Sequence, residues 1–227
     1  GIAVRLRHED TAMYLLHRGA NWRELPTSSL CTVMPWVAKD KSDELLMRVC
    51  SQITKEECAC YDEGLQAALG TAAREGLADS VRTLLEKGAD PSAPLLPPDQ
   101  KPLLGAVIHG DEVVVELLVQ AQADVNVEFN GKSALTHAAS NGRSDIVDLL
   151  VEAKADLSFK GPLVGHCAVS AAAGNGHVQA MQALIRSGSR RTRRNSEISA
   201  VVAAAFNGQV QAVRALRSAG ADLSVVA

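Results

Sequence analysis

A short signature, Gly-Ala followed by Asn or Asp, recurs along this chain at a nearly constant interval, and each copy closes a Leu-rich amphipathic run. Clear copies stand at Gly19-Ala20-Asn21, Gly88-Ala89-Asp90 and Gly220-Ala221-Asp222. Weaker ones at Gln122-Ala123-Asp124, Lys154-Ala155-Asp156 and Gly188-Ser189-Arg190, with a degenerate position near Ile53, complete a series at 19, 53, 88, 122, 154, 188 and 220. Its steps are 34, 35, 34, 32, 34 and 32 residues. A period of this size marks a stack of supersecondary units, because one such unit cannot bury its apolar face alone and must be sandwiched between neighbours. The repeat therefore constrains the fold more than the length does, since 227 residues would otherwise suit one or two globular domains.

A second marker lies earlier in each unit: two small apolar residues, two variable residues and a Gly. It appears as Ala72-Ala73-Arg74-Glu75-Gly76, Ala106-Val107-Ile108-His109-Gly110 and Ala138-Ala139-Ser140-Asn141-Gly142, then as Ala172-Ala173-Gly174-Asn175-Gly176 and Ala204-Ala205-Phe206-Asn207-Gly208. Each Gly suits a tight turn after a short helix, because it enters the left-handed region without a Cβ penalty. Apolar residues of helical period follow, as in Val113, Val114, Leu117 and Leu118, or Ile146, Val147, Leu149 and Leu150. Each unit thus reads as helix, turn, helix, and the fold class as all-α. Segments rich in Pro, Gly, Asn and charge lie between units, at Pro91 to Lys101, Asn126 to Lys132, Asp156 to Pro162 and Ser189 to Ser196. They read as extended loops or hairpins projecting from one edge. With 47% hydrophobic but only 3% aromatic residues, the interior must be filled by Ala, Val and Leu in thin layers.

These residues resemble the ankyrin repeat, whose pattern runs Thr-Pro-Leu-His, Ala-Ala, a turn Gly, a Val-Val/Leu-Leu helix and Gly-Ala-Asp. The resemblance covers nearly the whole chain and places seven units in a single array, over residues 1–21, 22–53, 54–90, 91–124, 125–156, 157–190 and 191–222, the first incomplete and the second degenerate. The second keeps the apolar spacing of Leu45, Leu46, Val49 and Cys50 after Met34-Pro35-Trp36-Val37. The Thr-Pro-Leu-His tetrad is intact nowhere, becoming Lys101-Pro102-Leu103-Leu104, Ser133-Ala134-Leu135-Thr136 and Ser199-Ala200-Val201-Val202. Gln122 and Lys154 take the Gly position after the second helix, where a left-handed backbone costs a non-Gly residue roughly 1 kcal/mol or more.

The resemblance implies an ankyrin solenoid in which shorter inner helices and longer outer ones leave a concave surface lined by first-helix residues and hairpin loops. On this alignment Arg74, Glu75, Ile108, His109, His137, Ser140, Asn141, Asn175, Phe206 and Asn207 face that surface. The docking candidates are Arg74, Ile108, His109, His137, Asn141, Asn175 and Phe206. Asn141, Asn175 and Asn207 also favour the turn before Gly by their own conformational preference. Ile108 and Phe206 are apolar at positions that should see solvent, as partner anchors are. His177 follows a turn Gly where the ankyrin pattern itself places His, and is read as structural.

The second charged feature is Arg190-Arg191-Thr192-Arg193-Arg194, four arginines in five positions, read as a loop offering Arg190, Arg191, Arg193 and Arg194 to an acidic surface. Arg193-Arg194-Asn195-Ser196 also resembles a basophilic kinase site at Ser196. The net charge of −3 argues against a nucleic-acid-coating or membrane-coating protein. Five cysteines, odd in number and unevenly placed, are unlike a secreted disulfide framework and point to a reducing, intracellular and most simply cytoplasmic setting. The longest apolar stretches, such as Ala200 to Phe206, fall well short of the roughly 20 residues of a membrane span. The chain begins at Gly1 without signal-like sequence and reads as a segment of something longer.

No phosphate loop, HExxH, GxSxG or paired-carboxylate signature is present. Cys50, Cys58 and Cys60 lack the second ligand pair of a zinc site, and Cys167 beside His166 has no orienting third residue. The expectation is a non-catalytic interaction scaffold or adaptor without metal or cofactor, whose partner is another protein. The rivals are a recognition arm of a larger enzyme or channel, and a structural array packed in an assembly.

Overall fold

The structure is a computed structural model and describes residues 9–18, 27–40, 45–46, 49–50, 61–92, 101–159, 161, 167–188 and 190–223. The chain divides into two compact units, Gly1–Ala123 and Asp124–Ala227. In the first lie α1 (Glu9–His17), α2 (Thr27–Lys39), α3 (Tyr61–Arg74), α4 (Ala78–Glu86), α5 (Pro102–His109) and α6 (Glu112–Gln120). In the second a two-stranded hairpin, β1 (Glu128–Phe129) and β2 (Lys132–Ser133), precedes α7 (Ala134–Ser140), α8 (Ser144–Glu152), α9 (Ala168–Gly174), α10 (Val178–Ser187), α11 (Arg190–Phe206) and α12 (Val210–Ser218). The fold is all-α, with helix pairs stacked like on like. Within the first unit α3 packs on α2 and α5, and α4 on α6; within the second α9 packs on α7 and α11, and α10 on α8 and α12.

The recurrent signature has a geometric explanation, one residue at a time. The Gly or its substitute sits at the left-handed C′ position of a Schellman cap. In α4, Gly88 N–H bonds Leu85 O at 3.0 Å and Ala89 N–H bonds Leu84 O at 3.0 Å, closing the last turn. The Ala that follows is buried each time, at Ala89, Ala123, Ala155 and Ala221. The Asp turns its carboxylate onto the backbone two residues on, Asp90 to Ser92 N at 2.8 Å, Asp124 to Asn126 N at 2.9 Å and Asp156 to Ser158 N at 2.8 Å, an Asx turn that starts the connection. Successive connections are tied together where Asp156 N–H donates to Asn126 Oδ1 at 2.8 Å.

Inner helices end the same way. Arg143 N–H reaches Ala138 O at 3.1 Å, His177 N–H reaches Ala172 O at 2.9 Å and Gln209 N–H reaches Ala204 O at 2.8 Å, with Gly142, Gly176 and Gly208 at positive φ. At one departure from the tetrad pattern, in α7, a hydroxyl still caps the helix. Ser133 Oγ accepts from Thr136 N at 3.2 Å and lies 3.0 Å from Thr136 Oγ1.

Three expectations need correction. Inner helices are the shorter member in α5/α6, α7/α8 and α9/α10, but α3 has 14 residues against 9 in α4, and α11 has 17 against 9 in α12. The segment Arg190 to Ser196 is not a loop: α11 begins at Arg190, so Arg190, Arg191, Arg193 and Arg194 fall in its first turns. The physical reason is that no Gly or Pro interrupts Arg190 to Phe206, and Arg is a strong helix former. Of the connecting segments, only Asn126 to Lys132 forms a hairpin among the described residues, turning on Asn130 and Gly131 at φ 51° and 72°. Gly188, moreover, is extended rather than left-handed, with φ −72°.

Gln122 and Lys154 do hold the left-handed conformation, with φ 66° and 64°. Gln122→Gly and Lys154→Gly should each stabilise the protein by about 1 kcal/mol or less, the relief of strain being partly offset by the freer unfolded chain. A Cβ added at Gly88 or Gly220 meets nothing within 4 Å, so Gly88→Ala and Gly220→Ala test the backbone alone. Each should lower stability by about 1 kcal/mol in denaturant titrations.

Candidate functional site

In the second unit the inner helices α7, α9 and α11 lie side by side, and their C-terminal ends are tied by a ladder of amides. Asn175 Nδ2 donates to Ser140 O at 2.8 Å, and Asn207 Nδ2 donates to Gly174 O at 3.0 Å. Each satisfies a carbonyl that the preceding inner helix leaves without an intrahelical partner. Across these helices runs a groove of about 570 Å³. Its floor is made of small residues, Ser170, Ala171 and Gly174 of α9 and Ala203 of α11, and Lys132, Thr136 and Ser140 line one side. The other wall is a stripe of apolar side chains on α11: Ile198, Val202 and Phe206, 39%, 45% and 90% exposed. Their spacing of four residues puts them on one helix face.

The groove offers apolar contact, and its polar groups are mostly engaged locally. Ser140 Oγ donates to His137 O at 3.0 Å, Ser170 Oγ to Cys167 O at 2.9 Å, and Thr136 pairs with Ser133. Among the described residues Lys132 is the one charged side chain in the lining. Gly174 keeps the floor low, since a Cβ there would stand 3.1 Å from Asn207 Nδ2 and 3.4 Å from Ala203 Cβ.

The residues singled out from the sequence divide between the two units. Arg74, Ile108 and His109 belong to the first and are exposed, Ile108 by 45%. The His109 ring lies over Gly76, where a Cβ would come within 2.7 Å of Nε2, and Arg74 is closely approached by Gly105. In the second unit Asn175 and Phe206 line the groove, whereas His137 and Asn141 do not. Asn141 is exposed at the C-cap of α7. His177 packs on Gly142, whose added Cβ would stand 2.5 Å from Nδ1. Sequence reasoning passed over Ile198 and Val202. The signal was their i, i+4, i+8 register with Phe206, hidden because the run before Ile198 read as a loop.

Among the described residues no group of three or more His, Cys, Asp and Glu stands together as a metal site. Cys58, Cys60 and His166 lie outside the described residues. Cys50 is buried, and burial pushes its thiol up to about 11, only partly opposed by Lys87, so it is held as the thiol. Cys167 is buried with Sγ donating to Ser170 Oγ at 3.2 Å.

His137 is half-buried, and its Nε2 is 3.4 Å from Phe129 O, to which it donates across the hairpin. Burial lowers its pKa below the ordinary 6.5; the bond to Phe129 opposes this, and Lys132 adds to the lowering. A histidine lowered by folding contributes stability that is fully present above about 6.5 and is lost as pH falls below it toward the folded value. Melting temperature should therefore fall between pH 7.5 and 5.5 by more in the parent than in His137→Gln. Equal falls would show that His137 is not the group responsible.

Comparison with known proteins agrees with this architecture. Residues 69–161 match the sequence pattern described as ankyrin repeats in three copies. Over 211 residues the chain is 28% identical to the ankyrin repeat and KH domain-containing protein mask-1 of Caenorhabditis elegans, an alignment covering 80% of this chain and 8% of that protein. The chain thus spans a small fraction of the length of the curated relative it matches.

Proposed function

Since the chain belongs to the ankyrin-repeat family, whose repeats generally mediate protein–protein interaction, we propose that it is a non-catalytic scaffold or adaptor that binds a partner protein through the inner-helix surface. The observation that carries this reading is the apolar wall of the groove. Phe206 is 90% exposed, with Ile198 and Val202 beside it over a floor of small residues. A soluble surface gains nothing from a large ring held in water, whereas a partner that desolvates it gains strongly.

The seven-unit division and the docking set of Arg74, Ile108, His109, His137, Asn141, Asn175 and Phe206 belong to the same proposal. Asn175 then has two tasks, since its amide already holds Ser140. The net charge of −3 favours a protein over nucleic acid as partner. The buried free thiols of Cys50 and Cys167 favour a reducing intracellular setting. Among the described residues no helix is long and apolar enough to cross a membrane. The great length of the relative supports the reading in which this array is the recognition arm of a longer polypeptide.

Affinity enrichment from extract, followed by binding measurements on the recovered partner, tests the docking face. Phe206→Ala and Ile108→Ala should each weaken the complex by about 1 to 3 kcal/mol. Glu116→Ala and Asp148→Ala, exposed on the outer helices α6 and α8, should leave it unchanged. A reversed ranking would move the docking face to the outer helices.

A further inference from the structure

We infer that the free face of the last helix pair, α11 and α12, docks an amphipathic helix of a partner protein, one whose apolar stripe is flanked by Asp and Glu. This surface adjoins the groove and shares Val202 with it, while Ala205 and all of α12 lie outside the groove lining.

Equivalent positions differ in burial between the last pair and the two before it. Gly142, Gly176 and Gly208 fix the register, at steps of 34 and 32 residues. Thr136, Ser170 and Val202 are then equivalent, as are Ala139, Ala173 and Ala205, and Val147, Met181 and Val213. In α7 to α10 these positions are closed: Thr136 and Ser170 are 1% exposed, and Ala139, Ala173, Val147 and Met181 are 0% exposed. In the last pair they open, with Val202 45% exposed, Ala205 exposed and Val213 half-buried. The difference is the following layer: α11 packs on α9 and α12 on α10, and no described helix follows α12. The last pair thus repeats the face by which each pair receives the next, with Ala205 where buried alanines let inner helices approach closely. Such a face fits a helix.

Charge separates a partner's helix from a further pair of the same kind. On α12, Val210, Val213, Arg214 and Arg217 follow the spacing i, i+3, i+4, i+7, so two arginines stand beside two valines on one face. Arg214 takes the place of Gln182 in α10, and Arg217 that of the buried Ile185. Both arginines are exposed, and among the described residues neither has an ion-pair partner. Together α10 and α12 carry three arginines, Arg186, Arg214 and Arg217, and no Asp or Glu. A helix like α10 brings only an aliphatic side chain or a like charge to this rim, whereas one with carboxylates beside its apolar stripe meets unbalanced positive charge. A second copy presenting the same face sets arginine against arginine.

The test is selection against the full chain of phage-displayed random peptides of about 18 residues, enough for about five helical turns. Enriched peptides are remade, followed by circular dichroism and measured by fluorescence anisotropy at low and high salt. They should set Asp or Glu beside an apolar stripe and gain helix on binding. Val213→Ser should weaken them about tenfold. Arg214→Gln combined with Arg217→Gln should also weaken them about tenfold and flatten the salt dependence. Both arginines are exposed and Gln keeps helix propensity, so this variant carries the test if Val213→Ser melts early. Peptides lost on Phe206→Ser but indifferent to the α12 changes are groove ligands, and would overturn this inference while leaving the docking reading intact. Enrichment without acidic preference, or no enrichment, contradicts it outright. Self-association of the parent chain in sedimentation, abolished by Val213→Ser, would put a second copy on the face in place of the partner. Protection of α12 from hydrogen exchange in a longer form of the polypeptide, with no peptide added, would put a further pair of the same chain there and sink the inference.

Discussion

The alanine pairs of the inner helices are the constraint on which the rest of the structure depends. Ala72 and Ala73, Ala138 and Ala139, and Ala172 and Ala173 are completely buried, as are Ala106 and Ala204. Side chains this small let neighbouring helices approach closely at interior packing density, and in α5 the second position of the pair takes a fully buried Val107 instead. Because the layers are thin, Val and Leu of the outer helices suffice to fill the remainder. Val81, Leu84, Val114, Leu118, Ile146, Leu150 and Leu216 are buried, and among the described residues Tyr61 is the only aromatic side chain in the core. The close spacing also demands tight reversals between the helices of a pair, which the left-handed glycines provide. Gly142 and Gly176 do more, because the side chains of His177 and Gln209 occupy the space that a Cβ would take.

Much of this frame was legible in the sequence because its determinants are local. Gly at C′, a buried Ala at C″ and an Asx-forming Asp act within a few residues of one another, so their order is visible as a signature. Even the exceptions followed the rule, as Gln122 and Lys154 keep the left-handed backbone that their neighbours' caps require. Non-local features were not legible. Asn175 read as a turn former, whereas its amide bonds a carbonyl 35 residues earlier. Helix α11 was hidden for a different reason. A run of Arg, Thr, Asn and Ser carries no apolar period, and periodicity is the signal by which a helix is read. In the same way α3 begins at Tyr61, ahead of the small-residue marker that located it.

The division between frame and display also explains where the candidate site lies. Residues that fix the stack are small, buried or hydrogen-bonded to backbone, and leave little freedom for function. The exposed Ile198, Val202 and Phe206 project from the inner helix beside a hollow that small residues such as Gly174 keep open. On the proposed reading, recognition is set by what the inner helices display. The elongation of α11 takes Arg190, Arg191, Arg193 and Arg194 into a helix that, at the length of α7 or α9, would not reach them.

The central claim is that small side chains at the inner-helix interfaces set the stacking of successive pairs, and through it the groove. Native-state hydrogen exchange on Ala172→Leu tests it most directly, because Ala172 is completely buried on α9 between α7 and α11. A nearest-neighbour stack predicts that protection falls in α9 and also in α7 and α11, which share its interfaces. Loss of protection confined to α9, with α7 and α11 exchanging as in the parent, would contradict the account.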